Sequence, residues 1–280
     1  MRRTGRAPGK RKRRRLAGRK AAALRITDSD TVILIRMPQQ LIHEIIPVGM
    51  LQCNCSILGD PDTHEAIVVD PGDEVDRILE ILKRHKLKVL AIVSTHTHID
   101  HVGGLAALHK ATGAPVLIHE ADYELYRGIE MQAEWLGVPT PETTKIDNFL
   151  KEGDSLRWGT HEARVIHTPG HTQGSLCLFL PEHGLYAPAD SANSDAISNS
   201  RNLMSREAHA AGEPRLIAGD TLFAGSIGRT DLWGGSLPEI LKSLKTKILA
   251  LPDETLVIPG HGPGTTIGQE RESNPFLRPR

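Results

Sequence analysis

Three imidazoles and a carboxylate fall within six consecutive positions of Thr95-His96-Thr97-His98-Ile99-Asp100-His101, and no other stretch limits the possible folds so tightly. A buried imidazole needs partners for its ring nitrogens, and a divalent cation supplies them. The apolar run Val89 to Val93 just before it reads as a short buried strand. Gly103-Gly104 followed by Leu105 to Lys110 reads as a turn into a helix. The imidazoles therefore stand at the C-terminal end of a strand. His96 and His98, two positions apart, point to the same face of an extended segment, unlike the four-residue helical spacing of an HExxH site. Asp100 and His101 project from the following turn and are displaced from the first pair, so a second ion is expected beside the first.

Further candidate ligands follow in order. His171 lies in Thr168-Pro169-Gly170-His171-Thr172, Asp220 in Ala218-Gly219-Asp220-Thr221, and His261 in Pro259-Gly260-His261-Gly262. Each comes after a strand-like apolar run and beside Gly or Pro, where the backbone turns sharply or is closely approached. With these in place, the run resembles the THxHxDH signature of the metallo-β-lactamase superfamily. The resemblance implies an α/β fold, the αββα sandwich of two mixed sheets flanked by helices. It also implies that His96, His98 and His171 bind one metal, that Asp100, His101 and His261 bind a second, and that Asp220 bridges them. Asp100 and Asp220 are then the carboxylates at the chemistry. Asp70, in Asp70-Pro71-Gly72, is either a simple turn residue or, as a similar motif in the superfamily implies, a carboxylate that orients the metal-binding loops. His43, His64, His85, His109, His119, His161, His167, His183 and His209 share no pattern and are expected to be ordinary solvated or hydrogen-bonded rings. His167, close to the His171 loop, is the least clear of them.

The segments between the ligands narrow the resemblance. Gly219-Asp220-Thr221-Leu222-Phe223, Gly228-Arg229-Thr230-Asp231, and the tail from Pro259 through Gly268 to Asn274-Pro275-Phe276 resemble short-form glyoxalase II proteins, the hydroxyacylglutathione hydrolases. That similarity implies hydrolysis of a thioester such as S-lactoylglutathione to glutathione and a hydroxy acid, with hydroxide held between two divalent ions as the nucleophile. Zinc is the expected metal, with iron and manganese suited to the same ligands. A thiol of reference pKa about 8.5 leaves without strong acid assistance. The longer glyoxalase II enzymes carry a C-terminal helical domain that grips glutathione, whereas nineteen residues follow His261 here. Arg229 either meets a substrate carboxylate or pairs with Asp231 to fix its loop. Two other chemistries on the same scaffold stay open: a persulfide dioxygenase with a single iron, and a metal-dependent ribonuclease.

The zero formal net charge hides an asymmetry. Residues 1 to 25 hold twelve Lys and Arg and no Asp or Glu, leaving twenty-two basic against thirty-four acidic residues in the remainder. Like charges at that density repel one another and bury nothing, so residues 1–36 are expected to be a disordered basic tail. A nucleic-acid or anionic-surface contact, an organellar presequence, or an upstream start with Met37 as the true one would each account for it. Acidity of residues 37–280, the expected hydrolase domain, otherwise opposes polyanion binding. No apolar run approaches the roughly 18 to 20 residues of a membrane span. Cys53, Cys55 and Cys177 are too few and too irregularly spaced for a disulfide framework, which suits a cytoplasmic protein acting on a small molecule.

Strands are expected at Leu41 to Val48, Cys53 to Leu58, Ala66 to Val69, Pro115 to Ile118, Ser155 to Trp158, Ala163 to His167, Ser175 to Leu180, Leu216 to Thr221 and Leu256 to Ile258. Helical stripes run from Glu74 to His85, near Ala121 to Arg127, and from Pro238 to Ala250. Residues 188–215, rich in Ala, Ser, Asn and Asp, look like an inserted loop, either a flap near the metals or a surface excursion.

Overall fold

The computed structural model of the chain describes residues 40–181 and 212–278. The expected basic tail and most of the expected insertion lie outside the described residues.

The first sheet holds β1 (Ile42–Val48), β2 (Cys53–Gly59), β3 (Glu65–Val69), β4 (Lys88–Val93), β5 (Val116–His119) and β6 (Asn148–Leu150), in that spatial order. The first three strands are antiparallel neighbours, and β3 to β6 run parallel. Parallel neighbours require crossovers, here α1 (Val75–His85), then α2 (Ile99–Val102) with α3 (Leu105–Thr112), then α4 (Tyr123–Arg127) with α5 (Ile129–Leu136). Ile78, Ile81 and Leu82, the buried stripe of α1, join Leu105 and Leu108 of α3 and Ile129 and Ala133 of α5 over one face of this sheet.

The second sheet is built from β7 (Ser155–Trp158), β8 (His161–His167), β9 (Leu176–Leu180) and β10 (Arg215–Gly219), followed, after the two-stranded hairpin β11 (Leu222–Phe223) and β12 (Ser226–Ile227), by β13 (Leu256–Pro259) and β14 (Thr265–Thr266). Its order is β14-β13-β10-β9-β8-β7, with β10 and β13 the parallel pair. Helices α6 (Leu237–Ser243), which continues into a π turn over Leu244–Ile248, and α7 (Ile267–Ser273) cover its outer face through Ile240, Leu244, Ile248 and Ile267. Between the sheets, Leu58, Ile67, Val69 and Val93 meet Trp158, Val165, Leu178 and Ile217. Each sheet thus has one face on its partner and one under helices, which is why strands such as β2 and β10 are buried along their whole length. The αββα sandwich of two mixed sheets is the observed fold.

Helix α5, strand β6, the β11–β12 hairpin, strand β14 and helix α7 were not anticipated. Helix α5 buries Gln132 beside Ile129 and Ala133, so a polar residue interrupts its short apolar stripe. Strand β6 has three residues, two of them exposed, at the edge of its sheet, too few for an alternating pattern to register. Arg215, placed by its sequence at the end of the insertion, is instead the first residue of β10, paired with Leu180 and Leu256. Among the described residues, no helix is long and apolar enough to cross a membrane, and Cys53, Cys55 and Cys177 are free and buried.

Candidate metal centre

The seven expected ligands come from five separate segments, and all of them reach one end of the sandwich. His96 and His98 lie on the extended stretch after β4, and Asp100 and His101 on the four-residue helix α2. His171 sits in the β8–β9 connection, Asp220 directly after β10, and His261 two residues past β13. Backbone bonds tie these segments together across the sheets. Leu176 N donates to Thr95 O at 2.7 Å, Gly260 N to Gly219 O at 2.8 Å, and Asn54 N to Gly260 O at 2.7 Å. Glycine is required at two of these junctions. A Cβ on Gly219, whose φ is +49°, would lie 2.4 Å from Thr95 Oγ1, and one on Gly260 would lie 2.1 Å from Asp220 Oδ1.

Donor atoms of His96, His98 and His171 all lie within 4.8 Å of one another, as do those of Asp100, His101 and His261 and those of His96, His101 and Asp220. Two ligands about 2.0–2.1 Å from one tetrahedral ion stand about 3.4 Å apart. The observed separations lie a few tenths of an ångström below that value: His98 Nδ1 to His171 Nε2 is 2.9 Å, His101 Nε2 to His261 Nε2 3.2 Å, and His261 Nε2 to Asp100 Oδ2 3.1 Å. Asp220 faces both groups. Its Oδ1 is 3.5 Å from His101 Nε2 and 3.7 Å from His261 Nε2, while its Oδ2 is 3.6 Å from His171 Nε2. Of the inward-facing atoms, His96 Nε2 and Asp220 Oδ1 are buried without a hydrogen-bond partner. Leaving such atoms unpaired costs about 1–3 kcal/mol each, so the residues fit cations better than they fit one another.

The far nitrogen of three rings is held from behind, which turns the near nitrogen inward. His171 Nδ1 donates to Arg229 O at 2.8 Å, and His261 Nδ1 donates to Leu51 O at 2.9 Å. His101 Nδ1 lies 3.0 Å from Asp70 Oδ2 and 3.4 Å from Cys53 Sγ. Asp70 also accepts from Thr95 N and Thr95 Oγ1, both at 2.7 Å. Burial, then the neighbouring His101 and His171 charges, push His96 well below the ordinary imidazole range, and burial with His171 brings His98 down to about 3. Burial would raise the carboxyls of Asp100 and Asp220, but the surrounding histidines outweigh it and hold both below the usual carboxylate range. His101 and His261 shift the other way: burial lowers both, but the charges around His101 (Cys53, Asp70, Asp100) and the Asp100 and Asp220 carboxylates beside His261 outweigh it and push both rings up. His96, His98 and the two acids thus hold the protonation forms that coordinate metals, and the other two rings release a proton as a cation replaces it.

The Arg229 guanidinium is paired with Asp231 through contacts of 2.8 and 2.9 Å. His167 lies outside the cluster. It stacks on His119 with centroids 4.0 Å apart and bonds Gln173 O through Nε2.

Asp122 and Gln132, which support the His96–His98 stretch, went unread in the sequence. Asp122, buried after β5, accepts from Thr97 N, Thr172 Oγ1 and Gly174 N and so joins the His96–His98 stretch to the His171 loop. Gln132 of α5 accepts from Ile99 N and donates to Thr97 O and Leu125 O. Each serves backbone groups of distant segments, and nothing in their own neighbourhood marks them out.

Residues 48–199 match the family model of the metallo-β-lactamase superfamily. An uncharacterized protein of Aquifex aeolicus is 40% identical over 84% of this chain and 97% of its own length. Hydroxyacylglutathione hydrolase GloC of Haemophilus influenzae is 33% identical over 84% and 97%. The crystal structure of the BLEG-1 B3 metallo-β-lactamase superposes with a TM-score of 0.68 at 35% identity, covering 84% of this chain and 99% of that one. The chain belongs to the metallo-β-lactamase superfamily.

Proposed function

We propose that the protein is a dinuclear-metal hydrolase that cleaves thioesters of the S-lactoylglutathione kind to a thiol and a hydroxy acid. In this reading His96, His98 and His171 hold one ion, Asp100, His101 and His261 hold the other, and Asp220 lies between them. Zinc is the metal proposed, since imidazole and carboxylate ligands suit it, and the same set accommodates iron or manganese. When bound, a pair of divalent ions supplies an acidified water and a polarised substrate carbonyl.

The observation that carries the reading is the placement of Asp220, whose two oxygens face different histidine groups. A site for a single iron would not need His261, yet His261 Nε2 points into the cluster, its ring held from behind by Leu51 O. This favours the hydrolase over a persulfide dioxygenase. Asp70 and Arg229 O act as positioning groups that fix the tautomers of His101 and His171. Asp122 holds the loop carrying His96 and His98 against that of His171, and Gln132 ties the same loop to α4 and α5. The thioester is favoured by the similarity to the Haemophilus hydrolase and by a leaving thiol of pKa about 8.5, which departs as thiolate. Three free, buried thiols suit the reducing cytoplasm where such a substrate occurs.

The test is a purified-protein assay with S-lactoylglutathione beside other thioesters and a lactam, with metals quantified on the same sample. Thioester hydrolysis with two ions per chain supports the reading. Oxygen uptake on glutathione persulfide with one iron would replace it.

A further inference from the structure

A cavity of about 350 Å³ opens beside the metal centre and shares Asp100 with it. Met50 and Leu51 of the β1–β2 loop form one wall, and Leu136, Val138 and Pro139 at the end of α5 and beyond form the other. Met50 is 72% exposed and Leu51 45% exposed, an unusual placement for two consecutive large apolar side chains. The ionisable groups on its lining are Asp73 and Asp100, both acids.

These features decide what can occupy it. A glutathione arm carries two carboxylates beside its one ammonium, and the lining offers no cation to receive them. A lactoyl group has two carbons beyond its carbonyl, whereas a cavity of roughly 150 Å³ already accepts a benzene ring. The space is therefore larger than lactoyl fills and has no partner for the carboxylates of glutathione. An uncharged hydrocarbon substituent fits it, and Asp100 at the edge sets the reach to the carbonyl.

We infer that this cavity is the acyl pocket of the enzyme, selecting thioesters whose acyl group is apolar and several carbons longer than lactoyl. The inference rests on the thioester-hydrolase reading for its substrate class. Leu51 ties the pocket to the chemistry, because it is part of the lining and its carbonyl holds His261 Nδ1. An acyl chain that packs on Leu51 therefore contacts the same backbone unit that orients a proposed ligand.

Two measurements test it on the metal-loaded protein. In the first, thioesters sharing one thiol carry acetyl, butanoyl, hexanoyl or phenylacetyl groups, and a second series holds the acyl group fixed while the thiol varies. Burial of a methylene raises kcat/KM about fourfold, so hexanoyl should exceed acetyl by at least about tenfold, and Met50→Asp should lower that ratio by about the same factor. Met50 is exposed enough for the substitution to leave folding intact. A flat acyl series, or selectivity residing in the thiol series, would overturn the pocket while leaving the thioester reading standing. In the second, calorimetric binding of straight-chain carboxylates requires no turnover. Affinity that rises from acetate to hexanoate and weakens in Met50→Asp supports the pocket even if no thioester is cleaved. Affinity independent of chain length overturns it.

Discussion

His261 Nδ1 lies 2.9 Å from the carbonyl oxygen of Leu51, so a residue at the start of the first sheet orients a candidate ligand at the end of the second. The same junction is braced by Asn54, whose Nδ2 donates to Pro259 O and Gly262 O, each at 3.0 Å. A buried side chain thus fixes both sides of the His261 turn. Asn54→Ala leaves a buried carbonyl unpaired and should cost about 2–3 kcal/mol. Denaturant unfolding would register the loss of stability, and elemental analysis should register loss of the Asp100-His101-His261 ion before the other.

Asp70 is predicted to act through His101. Its Oδ2 stands 3.0 Å from His101 Nδ1, and its Oδ1 accepts from Thr95 N. Asp70→Asn keeps the volume but offers an amide that can take the wrong side of that contact. Such outer partners are typically worth about 10–100-fold in metal affinity, so competition with a chromophoric chelator should show a weakened site of that order with an unchanged circular dichroism spectrum.

Asp220→Ala should retain the fold and lose hydrolysis. Its carboxylate is the donor whose oxygens face both histidine groups, and loss of about 3–4 kcal/mol of electrostatic stabilisation corresponds to a fall in kcat on the order of a hundred- to a thousandfold. Steady-state kinetics beside a melting curve would separate this from unfolding. Activity within a few fold of wild type would contradict the role proposed for Asp220.

Asp60, remote from the metals, sets an acid limit on stability. Its buried carboxylate accepts from Asp62 N and Thr63 N in its own turn, and from Thr160 N and Thr160 Oγ1 of the β7–β8 turn, joining the two sheets. Burial opposes its charge, but these donors win and bring the carboxyl down to about 2. Because the folded value lies below the unfolded one, the stabilisation is full above pH about 4 and is lost as pH falls towards 2. Asp60→Asn should lower stability by about 2 kcal/mol at neutral pH and flatten the dependence on pH between 4 and 2, as followed by urea unfolding across that range.

The candidate ligands were legible because coordination chemistry gathers rare residue types beside Gly and Pro at strand ends. His96, His98, Asp100 and His101 announce themselves by density, and His171, Asp220 and His261 by the turns they share. Helix α1 and strand β8 were legible from the periodicity of one buried face, and strands such as β4 and β10 from apolar runs bounded by turn residues. Asp122, Gln132 and Asn54 were not, because each acts on backbone groups from other parts of the chain, and a single polar residue carries no local sign of such a partner. Helix α5 and strand β6 were missed for a related reason. Their places come from the loop they hold and the edge they extend, with little periodic apolar pattern of their own.

The central claim is that two cations share Asp220 between a His96-His98-His171 group and an Asp100-His101-His261 group. Metal content of the purified protein, titrated against thioester hydrolysis as chelator removes and added zinc restores the ions, tests it most directly. The account predicts two ions per chain at full activity and a steep loss as the second is withdrawn. Full hydrolysis with a single ion, or with none, would contradict it.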